Sequence, residues 1–287
     1  MAYKPSPRPT FSEPTHLRYN EVTRHLWGDP EAGEVADWIY VSSDKIHQLI
    51  FGLAPGKAFR HSNEFRTIFG ADLVYYVLSG LMVITNPETG EVQRVRPGEA
   101  AFFRRDTWHH AFNYSNEPLR VLEFFAPPPS QGTSGAYART KPLLEQIHYG
   151  QDELLGQWPM ARAQSQQTQT LRVVSEETLL WRLEGEAGNE TLVGLLVATE
   201  HLTVGKIFLR PGQHTSLHRH GGDESLYLLE GTLNVFCPER EGQQWFELEP
   251  QDGFYIPANM PHQYYNITDQ PVTLIFGVAP DYLPASN

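Results

Sequence analysis

The chain has 287 residues, 40% hydrophobic and 12% aromatic, enough to bury two medium cores or one large one. Its net charge of -12 repels phosphate backbones, which excludes nucleic acid as the expected partner and leaves small-molecule ligands. The single cysteine, Cys237, excludes an intramolecular disulfide and a thiolate metal site.

Along the chain, Met1 to Pro7 lack the apolar stretch of a signal peptide, and no apolar run approaches the ~20 residues of a membrane span. A cytoplasmic protein without membrane contact is expected. Short apolar or alternating runs rich in Val, Ile, Tyr and Phe then follow one another. Leu73 to Leu78 precedes Ser79-Gly80, and Ala100 to Phe103 follows Pro97-Gly98. Such runs, punctuated by turn residues, read as strands of an all-β sandwich or barrel. Next come a proline run at Pro127-Pro128-Pro129 and a Gln/Thr-rich stretch near residues 164 to 170. Residues 127–170 are therefore expected to form a linker, with helical spacing over Lys141 to Ile147. A second helical spacing runs from Glu176 to Arg182. Strands resume at Lys206 to Arg210, Leu226 to Leu229 and Gly253 to Ile256. Cys237, after an alternating run and before Pro238, is expected to pack at a strand end.

The second half repeats the first at an offset of about 153 residues. Leu17-Arg18 with Trp27 returns as Leu171-Arg172 with Trp181. Ala54-Pro55-Gly56 answers Arg210-Pro211-Gly212, Gly80 answers Gly231, and His109 with Asn113 answers His262 with Asn266. Residues 1–126 and 171–287 are expected to be duplicated barrels sharing an interface.

The second copy carries the chemistry. His218 and His220, two apart on a strand, share a face; Gly221-Gly222 turns the chain so that Glu224 returns beside them. His262 comes from a later strand. Three imidazoles and a carboxylate suit one divalent transition metal per chain: Fe(II) first, with Mn, Ni, Cu or Zn also compatible. His214 and Tyr264 have the parity to line a substrate pocket. No catalytic residue is singled out.

From Gly212 through His218-x-His220 and Glu224 to Gly231, and again in Pro257-x-Asn259-x-x-His262-x-x-x-Asn266, the chain resembles the cupin superfamily. Asn259 stands where the family usually has Gly and is the next-best residue for a positive φ. The resemblance implies two double-stranded β-helix (jelly-roll) barrels with metal in the C-terminal one, and is compatible with a homodimer. In the first copy Leu73 replaces the glutamate, and His61-Ser62-Asn63-Glu64 stands where His-x-His is expected. One metal is therefore predicted, although His61, Glu64 and His109 would be the candidates for a second site. Aromatics around the second motif (Phe254, Tyr255, Tyr264 and Tyr265) favour a dioxygenase acting on a small oxygen-chelating aromatic or enol-like substrate. A metal-dependent lyase, decarboxylase or isomerase is the alternative enzyme, and a non-catalytic small-molecule binder the alternative from another class.

Overall fold

The computed structural model describes residues 6–127, 136–158 and 160–284; Pro128 to Gly135, within the expected linker, lie outside the described residues. The first half forms β1 (Thr15–Leu17), β2 (Thr23–Asp29), β3 (Gly33–Ser42), β4 (His47–Leu53), β5 (Ala58–Phe59) and β6 (Asp72–Ser79). It continues through β7 (Met82–Asn86), β8 (Glu91–Val95), β9 (Ala100–Phe103), β10 (His110–Asn113) and β11 (Leu119–Ala126). Two short helices, α1 (Ala136–Arg139) and α2 (Arg162–Gln167), precede β12 (Arg172–Val174). The second half adds β13 (Leu180–Glu184), β14 (Thr191–Ala198), β15 (Thr203–Leu209), β16 (Asp223–Glu230) and β17 (Leu233–Phe236). It closes with β18 (Trp245–Leu248), β19 (Gly253–Ile256), β20 (Gln263–Tyr265) and β21 (Val272–Ala279). The architecture is all-β, two barrels of one design.

Each barrel has a seven-stranded antiparallel sheet closed by a smaller one. The large sheets run β12-β9-β6-β11-β4-β3-β2 and β1-β19-β16-β21-β15-β14-β13, the same order twice. In each, the outermost strand beside β9 or β19 is donated by the other half: β1 pairs with β19 and β12 with β9. Paired edges of this kind leave fewer open strand groups. Apolar residues alternate into two interior cores, and a third core lies between the barrels. There Phe124 sits against Gly277, where a Cβ would approach its ring to 2.5 Å. Tyr40 donates to the Gln251 carbonyl at 2.7 Å, and Lys45 pairs with Asp223 at 2.8 Å. The motif glycines Gly80 and Gly231 take φ of 78° and 81°. A Cβ on Gly231 would approach the Pro271 carbonyl to 2.5 Å, so both conformation and space require glycine.

Several local expectations are corrected. Lys141 to Ile147 is not helical: Leu143 and Ile147 stay exposed, and Leu144 packs on the barrel cluster of Ile68, Trp108 and Ala138. Glu176 to Arg182 is one 3-10 turn, Glu176–Thr178, closed by a Ser175 capping box, and then runs into β13. Trp27 and Trp181 are not counterparts. Through the registers of β2 on β3 and β13 on β14, Trp27 matches Glu184, whereas Trp181 matches Arg24. Trp27 is accordingly 7% exposed inside the first barrel and Trp181 39% exposed on the outside of the second. Cys237 directly follows β17 and is fully buried, and burial pushes its thiol up to about 12.

Candidate metal centre

His218, His220, Glu224 and His262 converge in the second barrel, their nearest ligand atoms all within 4.8 Å of one another. Glu224 points inward from β16. His218 and His262 face each other as an isolated antiparallel bridge, with ring centroids 4.2 Å apart. Asn259 has φ of 64° and donates its N–H to the His220 carbonyl at 2.8 Å, tying the two motifs together. Gly222 is needed for proximity: a Cβ there would meet the Ala279 backbone at 2.3 Å, and its N–H bonds the Asp281 carbonyl at 2.7 Å.

The hydrogen bonds fix how the ligands present themselves. Nδ1 of His218 contacts the Ser216 carbonyl at 2.8 Å, Nδ1 of His262 the Met260 carbonyl at 3.0 Å, and Nδ1 of His220 the Tyr282 carbonyl at 2.6 Å. A carbonyl only accepts, so each Nδ1 carries the proton and each Nε2 turns a lone pair to the centre. Tyr264 donates to Glu224 Oε1 at 2.8 Å, leaving Oε2 for the same point. Glu224 Oε2 and His262 Nε2 are buried, lie 3.0 Å apart and share no hydrogen bond. Two acceptors so placed repel unless a cation lies between them. Ligands at right angles on bonds of about 2.1 Å would be about 3 Å apart, so the donor set fits a first-row divalent ion. Burial pushes His218 down to about 3, keeping it neutral and able to ligate.

The group opens on a cleft of about 540 Å³. Arg182, Glu184, Thr191 and Arg219 give it polarity; Val193, Ile207 and Phe276 form an apolar wall. Tyr282 stacks on His220 at 4.6 Å and donates to Glu184 Oε2 at 2.9 Å. Glu184 and Tyr282 escaped the sequence reading because neither lies in a motif; the repeat would have exposed Glu184 had it been aligned with Trp27.

The two expected pocket residues lie elsewhere. Tyr264 points inward but is fully buried behind Glu224. His214 contacts Asn189, Gln263 and the Tyr265 ring, outside the cleft lining. The chain bends at Leu217, so strand parity does not carry back from His218 to His214. The other aromatics of the second motif also miss the cleft: Phe254 packs on Phe246, Tyr255 on Phe11, and Tyr265 near Trp245.

In the first barrel, His109 donates its N–H to the Thr67 carbonyl as His262 does to that of His218, and Asp106 to Phe69 as Asn259 does to His220. Thr67 and Phe69, not His61 to Glu64, therefore occupy the His-x-His positions, and Leu73 occupies that of Glu224. His109 Nε2 lies 2.9 Å from the Tyr75 hydroxyl. His61 turns to His110 at 2.7 Å and Glu64 is exposed, so these three residues are not brought together.

No helix among the described residues is long and apolar enough to cross a membrane. Polyketide synthase CurC of Streptomyces cyaneus is 32% identical over 78 residues, 27% of this chain and 48% of that protein, so the match spans about half its length. A putative glyoxylate-induced protein from Pseudomonas aeruginosa has a TM-score of 0.65 at 16% identity, covering 97% of this chain and 93% of its own. Oxalate decarboxylase from Lactobacillus farciminis in complex with formate has a TM-score of 0.62 at 15% identity, covering 96% and 89%. These likenesses establish a shared fold. The cupin domain model matches residues 52–125 and 206–278, more than half of the chain and once in each barrel. The chain belongs to the cupin family, as a two-barrel member.

Proposed function

We propose that the chain is a metal-dependent enzyme of the lyase, decarboxylase or isomerase type, acting in the second barrel on a small oxygen-chelating carboxylate. The observation that carries this reading is the Glu184–Tyr282 pair, a proton-handling couple in the cleft wall beside His220. Lyase and isomerase chemistry needs such a group, whereas the aromatics that favoured a dioxygenase do not line the cleft.

Three imidazoles and Glu224 would hold the ion, Fe(II) first among the candidates. Once bound, it would act as a Lewis acid on substrate oxygens. Arg219 and Arg182 supply positive charge to the cleft for a carboxylate. The wall of Val193, Ile207 and Phe276 takes the apolar part and excludes water. Glu184 Oε2 accepts from Tyr282, and its other oxygen lies 3.4 Å from Arg182 Nε, so the carboxyl is aimed. Burial and Glu184 push the Tyr282 phenol up, keeping it protonated as a donor. From this position Glu184 moves a proton to or from the substrate.

The test is substrate consumption by metal-loaded protein with and without dioxygen, across small oxo- and hydroxy-carboxylates. Turnover without dioxygen, with Glu184→Gln lowering kcat roughly 100-fold or more at unchanged metal content, is the expected result. Turnover strictly coupled to oxygen uptake would restore the dioxygenase reading. Saturable binding without turnover would make the protein a binder.

A further inference from the structure

The first barrel has an interior of its own. A cavity of about 40 Å³ lies among Asp37, Thr67, Tyr75, His109, Glu123 and aromatic walls that include Trp27 and Phe59. Asp37 on β3 pairs with Phe51, and Glu123 on β11 pairs with Leu49, so both carboxyls enter from the face that Phe51 and Leu49 share. The second barrel has Val193 and Phe276 at these positions, so the acids belong to the first barrel alone.

Asp37 is 5% and Glu123 6% exposed, and neither carboxyl has a hydrogen-bond partner among the described residues. Thr67 is 2% exposed, and its hydroxyl is also without a partner. Nδ1 of His109 faces the Thr107 carbonyl at 3.3 Å, so Nε2 accepts from Tyr75 and is not free to ligate. The cavity thus offers two carboxyls, a hydroxyl and a phenol oxygen within aromatic walls, and among the described residues no cationic side chain lines it. A transition metal would find no free imidazole there, and an anion no cationic partner. A compact cation with several N–H donors satisfies the acceptors and is attracted to the ring faces. At about 10–15 Å³ per water-sized group, there is room for about three such groups.

We propose that this cavity binds a small primary ammonium ion, held by Asp37 and Glu123 with Thr67 and the aromatic walls completing the site. Burial raises both carboxyls and so favours their protonated form until a cation enters. Entry of the cation displaces protons to solvent, and no covalent bond forms.

The test is calorimetric titration of the full-length chain with methylammonium chloride, repeated in buffers of different ionisation enthalpy. One saturable site per chain, with proton release, is expected. Glu123→Gln and Asp37→Asn should each weaken binding roughly tenfold or more. His262→Ala should retain it, since the site is separate from the metal centre. Tetramethylammonium, bulkier and without N–H donors, should not compete. Absence of saturable binding by the wild-type chain would overturn the proposal without any variant having to fold. So would equal binding by both acid variants, or displacement of methylammonium by Mn2+.

Discussion

Thr67-Ile68-Phe69-Gly70-Ala71-Asp72-Leu73 and His218-Arg219-His220-Gly221-Gly222-Asp223-Glu224 trace one path through two barrels. The backbone bonds that fasten the later strand to Thr67 and Phe69 are those that fasten it to His218 and His220. Yet one segment turns a threonine, a phenylalanine and a leucine inward, and the other a ligand set. The fold dictates which positions face in, and the side chains decide what the interior does. At the barrel mouth the contrast recurs: Trp27 fills the place where Glu184 stands in the open cleft.

The largest effect expected from breaking this contrast is on metal. His262→Ala should lower metal affinity by more than the 10–100-fold that outer partners typically carry, while His109→Ala leaves stoichiometry at one. Elemental analysis after dialysis reads both, and two equivalents in the wild-type chain would refute the asymmetry. Conversely, combining Thr67→His, Phe69→His, Leu73→Glu and Tyr75→Leu, the last freeing His109, should raise the content towards two. Next in size is Tyr264→Phe, which leaves Glu224 Oε1 without its donor and should weaken metal binding roughly tenfold in a competition titration.

Acid–base behaviour should separate the barrels as well. Burial raises Asp37 and Glu123, so their stabilisation is complete below the unfolded carboxylate range and is lost as pH rises through their folded values. Burial pushes His109 down to about 3, so its stabilisation is present above 6.5 and is lost as pH falls from there towards 3. Glu123→Gln should therefore stabilise the amine-free protein at pH 7, on the order of 1 kcal/mol, and by progressively less towards pH 4 in urea titrations. The smallest effect expected is from Asn259→Gly: a residue already at φ 64° is replaced by one that prefers it no less, and stability should change by only about 0.5 kcal/mol.

The metal group was legible because its geometry is local: two histidines two apart, a returning glutamate and a histidine on a motif strand. Asn259 was legible for the same reason, since a positive φ is a property of one residue. Like residues in the two copies are not always counterparts. His61 is a histidine outside the matching segment, because Gly70-x-Asp72 against Gly221-x-Asp223 sets the register without any histidine. Matching tryptophans hid the pairing of Trp27 with Glu184. His214 misled because parity holds only along an unbroken strand. Lys141 to Ile147 has helical spacing, but the barrel surface offered Leu144 a better contact. The donated strands β1 and β12 had no local signature at all, since pairing with a strand so distant in sequence leaves no pattern in either short segment.

That donation has a consequence for how the chain comes into being. As it leaves the ribosome, the first sheet lacks its flanking strand until Arg172–Val174 emerge, well after its other strands. Thr15–Leu17, made near the start, must wait for Gly253–Ile256 near the end. Neither half can complete its sheet from its own strands alone, so the first sheet keeps an open edge that invites misassembly until Arg172–Val174 are made, and β1 stays unpaired until Gly253–Ile256 follow. A tightly coupled final step, slow by the measure of its sequence-distant contacts, is the expected signature in refolding. It also gives selection a reason to keep a barrel whose ligand positions hold Thr67, Phe69 and Leu73, because its neighbour is not whole without the strand that this half lends.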